Sequence, residues 1–220
     1  MAQSAEAQDF TPRQNDVLET ALALLVEGGE RALTTAAIAR AANCSKESLY
    51  RWFGDRDGLL AAVITFQASK VRTDATGISP LTPASFRESL TIFSVDLLSV
   101  LSGPSSLALN RLAIGQASRE GSPFGRLMLE RGRKIIGTRA ATLLEHGRQH
   151  RYLAYEDTET TYQTLYGLIV RDVHVRLLLG ETINARRTDL KKQAEAAIDQ
   201  FYRLYGADNQ TVNTTSKETG

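Results

Sequence analysis

The sequence predicts an all-α protein with a small N-terminal helical head and a larger C-terminal helical domain. Apolar residues recur every three or four positions through most of the 220 residues, which is the period of helices that bury one face. Nowhere does the chain alternate apolar and polar residues convincingly, as a half-buried strand would. Glycine and proline separate the helical segments. These observations favour a fold built of helices alone.

The first helix is predicted from Arg13 to Gly28, after a polar tail over residues 1–10 that we expect to be disordered. Thr11-Pro12 provides an N-cap followed by a first-turn proline, and Gly28-Gly29 provides a helix end. The apolar stripe of this helix consists of Val17, Leu18, Ala21, Leu22, Leu24 and Leu25. The stripe predicts a helix that packs against the rest of the head.

Residues 33–53 hold two short helical patterns that are joined by a tight turn. Asn43 stands where the chain must reverse, and asparagine tolerates a left-handed backbone better than most residues other than glycine. Leu49 and Phe53 are four positions apart and face inward together. Candidate N-caps of the two helices are Thr34 and Ser45. This is the layout of a helix-turn-helix, whose second helix enters the DNA major groove.

The outward face of the second helix carries side chains that suit DNA. Lys46 can donate to guanine O6 or N7, and Tyr50 can pack on a thymine methyl group or donate to phosphate. Glu47 can accept from cytosine N4 or exclude other sequences by repulsion. The amides that open the next helix, near Arg56, can bind a phosphate. Further phosphate donors are Thr34, Ser48 and Arg51. Helix-turn-helix layouts also occur in proteins that never touch DNA, so a protein-interaction module is an alternative.

A fourth helix is predicted to begin near Asp55 and to continue through Phe66. Residues 73–83 are rich in Thr, Gly, Ser and Pro, which indicates a break. The helices expected after the break cover residues 84–102, 105–118, 123–149, 157–179 and 188–205. The predicted organisation is a head over residues 11–55, a helical domain over residues 56–206 entered through helix 55–70, and a disordered polar tail over residues 207–220.

The strings VEGGERALTT and IARAANCSKESLYRWFGDRDGLLAAV include the pattern Ser-Lys-x-x-Leu-Tyr-x-x-Phe. On these strings, residues 13–63 resemble the N-terminal domain of the tetracycline-repressor (TetR) family. The resemblance implies an all-helical homodimer with a three-helix DNA-binding head and a larger domain that binds a small molecule and dimerises. The expected function is that of a transcriptional repressor which an unknown small-molecule ligand releases from a palindromic operator in double-stranded DNA.

The resemblance also assigns roles within the head. Lys46 and Glu47 fall at positions that read bases, and Thr34 falls at a cap that also touches phosphate. The full set expected to contact DNA is Thr34, Thr35, Ser45, Lys46, Glu47, Ser48, Tyr50, Arg51, Trp52 and Arg56. The chain departs from the family pattern by having Ala36 and Ala37 where charged or polar residues are common, and Asn43 where glycine is usual.

The string YGLIVRDVHVRLLLGE resembles a segment of the AcrR/AefR-like branch, which implies a penultimate helix in the dimer interface. This helix carries two apolar stripes at four-residue spacing, and a helix that is apolar on two faces must be covered on both. The residues expected at the interface are Leu165, Ile169, Val173, Leu177, Ile198, Phe201 and Tyr205. The alternative is that both stripes belong to the core of their own subunit.

A small-molecule pocket is expected to use aromatic, methionine and histidine side chains of the C-terminal domain. The candidates are Phe93, Phe124, Met128, Tyr162, Tyr166 and His174. Such residues at helical spacing also serve as ordinary core, and that is the alternative for each of them.

Motifs and composition argue against other classes. The sequence has no nucleophile elbow, phosphate loop or metal-ligand cluster, so we expect no catalytic residue, metal site or cofactor; a small helical enzyme is the second alternative. The net charge is +1, so DNA contact must arise from local geometry. The lack of a signal peptide and of an apolar run of about 20 residues favours a cytoplasmic protein without membrane contact. The single cysteine, Cys44, is expected to be buried, either inert or redox-active.

Overall fold

The computed structural model describes residues 10–72, 82–119, 121–182 and 187–207. Within these ranges the chain forms helices and no sheet; Leu153 and Gly206 make one isolated antiparallel bridge. The helices are α1 (Pro12–Ala32), α2 (Thr35–Ala41), α3 (Lys46–Phe53), α4 (Arg56–Ser69), α5 (Pro83–Ser102), α6 (Pro104–Gln116), α7 (Phe124–Leu127), a π-helical segment (Met128–Arg133), α8 (Lys134–Gln149), α9 (Thr158–Val170), α10 (Val173–Leu178) and α11 (Arg187–Tyr205). The predicted all-α fold is confirmed.

The N-terminal helix begins at the cap that the sequence offers. The Thr11 hydroxyl accepts from the Gln14 amide at 3.3 Å, and the Gln14 side chain accepts from the Thr11 amide at 2.8 Å, which forms a capping box. At its other end, Gly29 adopts φ +64° and interrupts the helical backbone, after which one more turn reaches Ala32. The glycine pair therefore kinks α1 near its end, because glycine adopts a positive φ at little cost.

Two predicted helices are interrupted in ways that the apolar periodicity does not indicate. The segment predicted over residues 157–179 breaks between α9 and α10, where Arg171 adopts φ +49°. The segment predicted over residues 123–149 contains the π-helical segment, which adds residues to a turn and includes Gly132 but no proline. Both interruptions leave the apolar spacing on either side intact, so the sequence pattern reads as continuous.

The chain divides into two compact units. The first unit comprises Met1–Lys70 with Val100–Ile136, and the second comprises Val71–Ser99 with Gly137–Gly220. In the first unit α1 and α4 supply most of the core, and α6 and α7 pack against them. Helix α4 is buried on nearly every side from Leu59 to Ala68, so it is a central element of this unit.

Within the second unit, α9 and α11 pack against each other, and the Gln193 side chain donates to the Ile169 carbonyl at 2.9 Å. Fully buried aromatic side chains from α5 and α11, including Phe86 and Phe201, belong to its core. Gly147 of α8 lies so close to Phe86 that a β-carbon at this position would be 2.2 Å from the ring. Glycine is therefore required here by a close approach of α8 to α5.

Some predicted features fall outside the described ranges. These are most of the break over residues 73–83, residues 1–9 of the N-terminal tail and residues 208–220 of the C-terminal tail. Phe10 lies within the predicted tail but packs on the head, with its ring centroid 6.4 Å from those of Phe53 and Phe66. No single helix in the described ranges has the length and hydropathy of a membrane span, and α5 and α6 pass that test only when taken together across their break.

Gly147→Ala is expected to destabilise the second unit, because the buried Phe86 ring cannot move away without opening the core. We expect a loss of about 1–3 kcal/mol in the free energy of unfolding, measured by urea denaturation. Gly115→Ala in α6 is the matched control, since a β-carbon at this position would meet nothing within 4 Å. Equal stability of the two variants would contradict the close approach of α8 to α5.

Candidate nucleic-acid interface

The turn between α2 and α3 is built from short-range hydrogen bonds. The Thr34 hydroxyl accepts from the Ala37 amide at 3.1 Å and caps α2. Asn43 adopts φ +49°, the left-handed conformation expected of this residue. The Cys44 amide donates to the Ala39 carbonyl at 2.9 Å and closes the turn. Cys44 itself is half-buried and packs against the core of the first unit, so the burial expected at this position is only partial.

Helix α3 is capped and anchored on one face. The Ser45 hydroxyl accepts from the Ser48 amide at 3.0 Å. Leu49 is only 1% exposed and packs in the core of the first unit. Phe53 and Trp52 are half-buried beside it, and their rings meet edge to face at 6.3 Å. These contacts orient the helix, because they hold one of its faces against the rest of the unit.

The opposite face of α3 is exposed. Lys46, Glu47, Tyr50 and Arg51 are spaced so that they share this face, and Tyr50 keeps 47% of its surface accessible. Of the ten residues predicted to contact DNA, those that are exposed are Thr34, Ser45, Lys46, Glu47, Tyr50, Arg51 and Arg56. Those that are half-buried are Thr35, Ser48 and Trp52. The structure therefore brings the predicted base-reading side chains together on one accessible surface.

Glu47 carries a negative charge on this surface. Hydrogen bonding to its own backbone amide lowers the pKa of the Glu47 carboxyl, and the Ser45 hydroxyl and the charge of Lys46 lower this pKa further. The group is therefore ionised at neutral pH. An ionised carboxylate can accept from cytosine N4 but is repelled by phosphate, so it favours base recognition over backbone contact.

The junction of α3 and α4 depends on Gly58. A β-carbon at this position would lie 2.0 Å from the Phe53 carbonyl oxygen, so the first turn of α4 fits against the end of α3 only with glycine. The Asp55 carboxylate accepts from the Gly58 amide at 2.7 Å and caps α4. Arg56 is exposed between Asp55 and Asp57, and its phosphate contact stays a prediction.

Arg13 also belongs to this site, although no sequence pattern indicates it. Its Nη2 donates to the Ala42 carbonyl at 2.6 Å and to the Asn43 carbonyl at 3.0 Å, across about 30 positions of sequence. The only signal was electrostatic. A cation in the first turn of a helix opposes the helix dipole, so arginine is an unfavourable choice at this position unless it makes another contact.

The residues predicted for a ligand pocket do not all belong to one unit. Phe124 and Met128 contribute to the core of the first unit. In the second unit, Tyr162 and Tyr166 meet at a ring distance of 6.2 Å, and Phe93 is fully buried. His174 is half-buried, and its Nε2 atom has no hydrogen-bond partner in the part of the chain that the structure describes. Burial lowers the pKa of His174, which favours the neutral imidazole.

The residues predicted for the dimer interface require a correction. Leu165, Ile169, Ile198 and Phe201 are each 0% exposed in the single chain, and Leu177 is 6% exposed. The four side chains at 0% exposure lie between helices of their own unit and present no surface to a second subunit, so the alternative left open by the periodicity applies to them, whereas Leu177 stays a prediction. Only Val173 and Tyr205 of the predicted set are half-buried.

Comparison with known families decides the class of protein. Residues 17–63 match the model of the bacterial regulatory proteins of the tetR family, and residues 88–207 match the C-terminal domain of AefR-like transcriptional repressors. The second match alone covers more than half of the 220 residues. The chain belongs to the TetR family. The predicted resemblance, including its AefR-like branch, is confirmed, and α2 and α3 are the helix-turn-helix of a TetR-family transcriptional regulator.

Solved structures of TetR-family proteins share the fold. A TetR transcriptional regulator from Agrobacterium tumefaciens is 56% identical, with 91% of this chain and 97% of that chain covered and a TM-score of 0.77. A TetR-family regulator from Mesorhizobium loti is 21% identical, with 88% and 96% covered and a TM-score of 0.69. The flavonoid-responsive regulator FrrA is 24% identical, with 88% and 97% covered and a TM-score of 0.63. None of the curated proteins matches the chain.

Ser45→Ala is expected to destabilise α3, because the Ser48 amide loses its acceptor. We expect a decrease of about 1 kcal/mol in the free energy of unfolding and faster hydrogen exchange at the Ser48 amide. Ser45→Asp is the control, since aspartate caps a helix as well as serine does. Unchanged stability and exchange in Ser45→Ala would show that the cap does not hold this helix.

Proposed function

We propose that this TetR-family regulator is a cytoplasmic homodimeric repressor that binds a palindromic operator through α3 and leaves it when a small molecule binds. The observation that carries the proposal is the exposed face of α3, which presents Lys46, Glu47 and Tyr50 while Leu49 is buried behind them. This side-chain set combines a donor for guanine, an acceptor for cytosine and an aromatic ring for thymine or phosphate.

A dimer is proposed because a short recognition helix reads few bases. Two copies that are related by a two-fold axis read two half-sites about 34–36 Å apart, or a multiple of this distance. Val175 and Leu179 of the second unit support a contact between copies, since they are 57% and 83% exposed and stand four positions apart, within α10 and at its C-cap. Tyr205 and Val173 stay proposed interface residues, because part of each side chain is accessible.

The ligand site is proposed for the second unit. Among the predicted pocket residues, His174 has the clearest capacity for a ligand, because its buried Nε2 lacks a hydrogen-bond partner within the described residues. A buried polar atom without a partner costs free energy that a ligand can recover by hydrogen bonding. The flavonoid response of FrrA concerns that protein, and its 24% identity supports the fold alone. A ligand that favours one spacing of the heads shifts the population away from DNA.

Replacing the base-reading side chains should abolish operator binding and leave the fold intact. For Lys46→Ala combined with Tyr50→Ala we expect about a hundredfold loss of affinity, since each specific base contact contributes about 1–3 kcal/mol. The probe is a fluorescent duplex selected by the unmodified protein from a randomised pool, and the readout is anisotropy. Circular dichroism reports the fold.

Lys192→Ala is the matched control for this double variant, because it removes an exposed lysine from α11 instead of α3. The control should bind the duplex like the parent protein. If the double variant also binds like the parent, or if the parent selects no duplex, then α3 is not a recognition helix.

Leu179→Glu is expected to weaken the dimer, because a charge would be buried where the contact between copies needs an apolar side chain. We expect the dimer dissociation constant to rise about a hundredfold, measured by sedimentation equilibrium. Ile114→Glu is the control, since Ile114 is a 62% exposed apolar residue of the first unit. A monomeric parent protein, or a dimer that tolerates Leu179→Glu, would contradict the proposed interface.

A further inference from the structure

We infer that Arg13 is a positioning residue for DNA recognition, which holds the turn of the helix-turn-helix without contacting DNA itself. The inference rests on the proposed DNA-binding function and extends it to a residue of α1 that lies outside the helix-turn-helix. Arg13 reaches the turn through one atom, Nη2, which donates to two consecutive carbonyls at 2.6 Å and 3.0 Å.

The two acceptors lie at the point that sets the angle between α2 and α3. The Ala42 carbonyl belongs to the C-terminal end of α2, and the Asn43 carbonyl belongs to the residue with φ +49°. Carbonyls at a helix C-terminus have no partners within the helix and carry partial negative charge. A guanidinium that binds both of them satisfies these groups and ties the left-handed residue to α1.

Phe10 provides a second contact from the same end of α1. Its ring lies 6.4 Å from that of Phe53 at the end of α3 and 6.4 Å from that of Phe66 in α4. Phe10 precedes the N-cap Thr11, so a single rigid helix start carries both the aromatic contact and the Arg13 contact. The first residues of α1 therefore contact both the turn before α3 and the last residue of α3.

This support adds to the contacts that Leu49, Trp52 and Phe53 make with the core of the first unit. Leu49 is the one fully buried side chain of α3 among the eight residues Lys46–Phe53. Trp52 and Phe53 are half-buried near its C-terminal end, so its N-terminal end relies most on the turn that Arg13 holds. Base recognition requires side-chain placement within hydrogen-bond distance, so a small rotation of α3 moves Lys46 and Tyr50 out of register.

The single cysteine of the chain, Cys44, follows Asn43, so its reaction with a thiol reagent reports opening of the turn. We expect Arg13→Met, which keeps an apolar stem but removes the donors, to raise the rate of Cys44 modification by a thiol reagent about tenfold through local opening. Arg13→Lys should restore the Cys44 modification rate of the parent protein, since one ammonium can donate to both carbonyls. Arg31→Met, at an exposed arginine near the other end of α1, is the control.

This first measurement needs no DNA. A thermal unfolding curve of each variant separates local opening from general instability. Cys44 of Arg13→Met should be modified faster than in the parent protein even at temperatures well below the unfolding transition of the variant. If Cys44 reacts equally fast in Arg13→Met and in the parent protein, then Arg13 does not hold the turn and the inference is wrong.

The second measurement uses the selected duplex and varies the salt concentration. A lost phosphate contact reduces the slope of log affinity against log salt concentration by about 0.9. For Arg13→Met we expect about tenfold weaker binding with an unchanged slope, and recovery in Arg13→Lys. A reduced slope would mean that Arg13 binds phosphate directly, which overturns the positioning role. Failure of the parent protein to bind any duplex would overturn the proposed function instead, and the Cys44 rates would still decide the role of Arg13.

Discussion

The burial of Leu49 is the contact on which the proposed DNA surface depends. Helix α3 has only eight residues, and a helix of that length is not stable alone in water. Burial of a leucine side chain contributes about 1.5–3 kcal/mol, which is enough to hold a capped two-turn helix against the core. Lys46 and Tyr50 are four positions apart and share a face, and this face stays exposed while Leu49 is held against the core. The chemistry of the exposed face follows from the apolar contact on the other face.

The features that the sequence predicts well are those decided by neighbours a few positions away. Thr34 and Ser45 each accept from an amide three residues later, and Asn43 adopts its left-handed conformation within a turn of four residues. The number and approximate position of most helices follow from apolar spacing for the same reason. The helix-turn-helix can therefore be derived from the residues, together with the face of α3 that points outward.

The features that the sequence does not predict depend on distant partners. Periodicity shows that a face is buried but not which chain covers it, so it cannot tell that Leu165 and Ile198 are buried completely by their own unit and not by a partner. Arg13 finds its acceptors 29 and 30 positions away, beyond any local pattern. The break at Arg171 uses a residue with no turn preference. In each case the deciding contact is tertiary.

The first unit packs α3 and the π-helical segment against one helix, α4. The sequence places the end of the head near residue 55, whereas the compact unit extends through α4 and includes residues 100–136. Gly58 touches the Phe53 carbonyl at one end of α4, and a β-carbon on Gly132 in the π-helical segment would lie 3.4 Å from Ile64. Because α4 is buried on nearly every side, it cannot shift without moving both neighbours. The π-helical segment and the end of α3 therefore pack against the same buried helix, one at Ile64 and the other at Gly58.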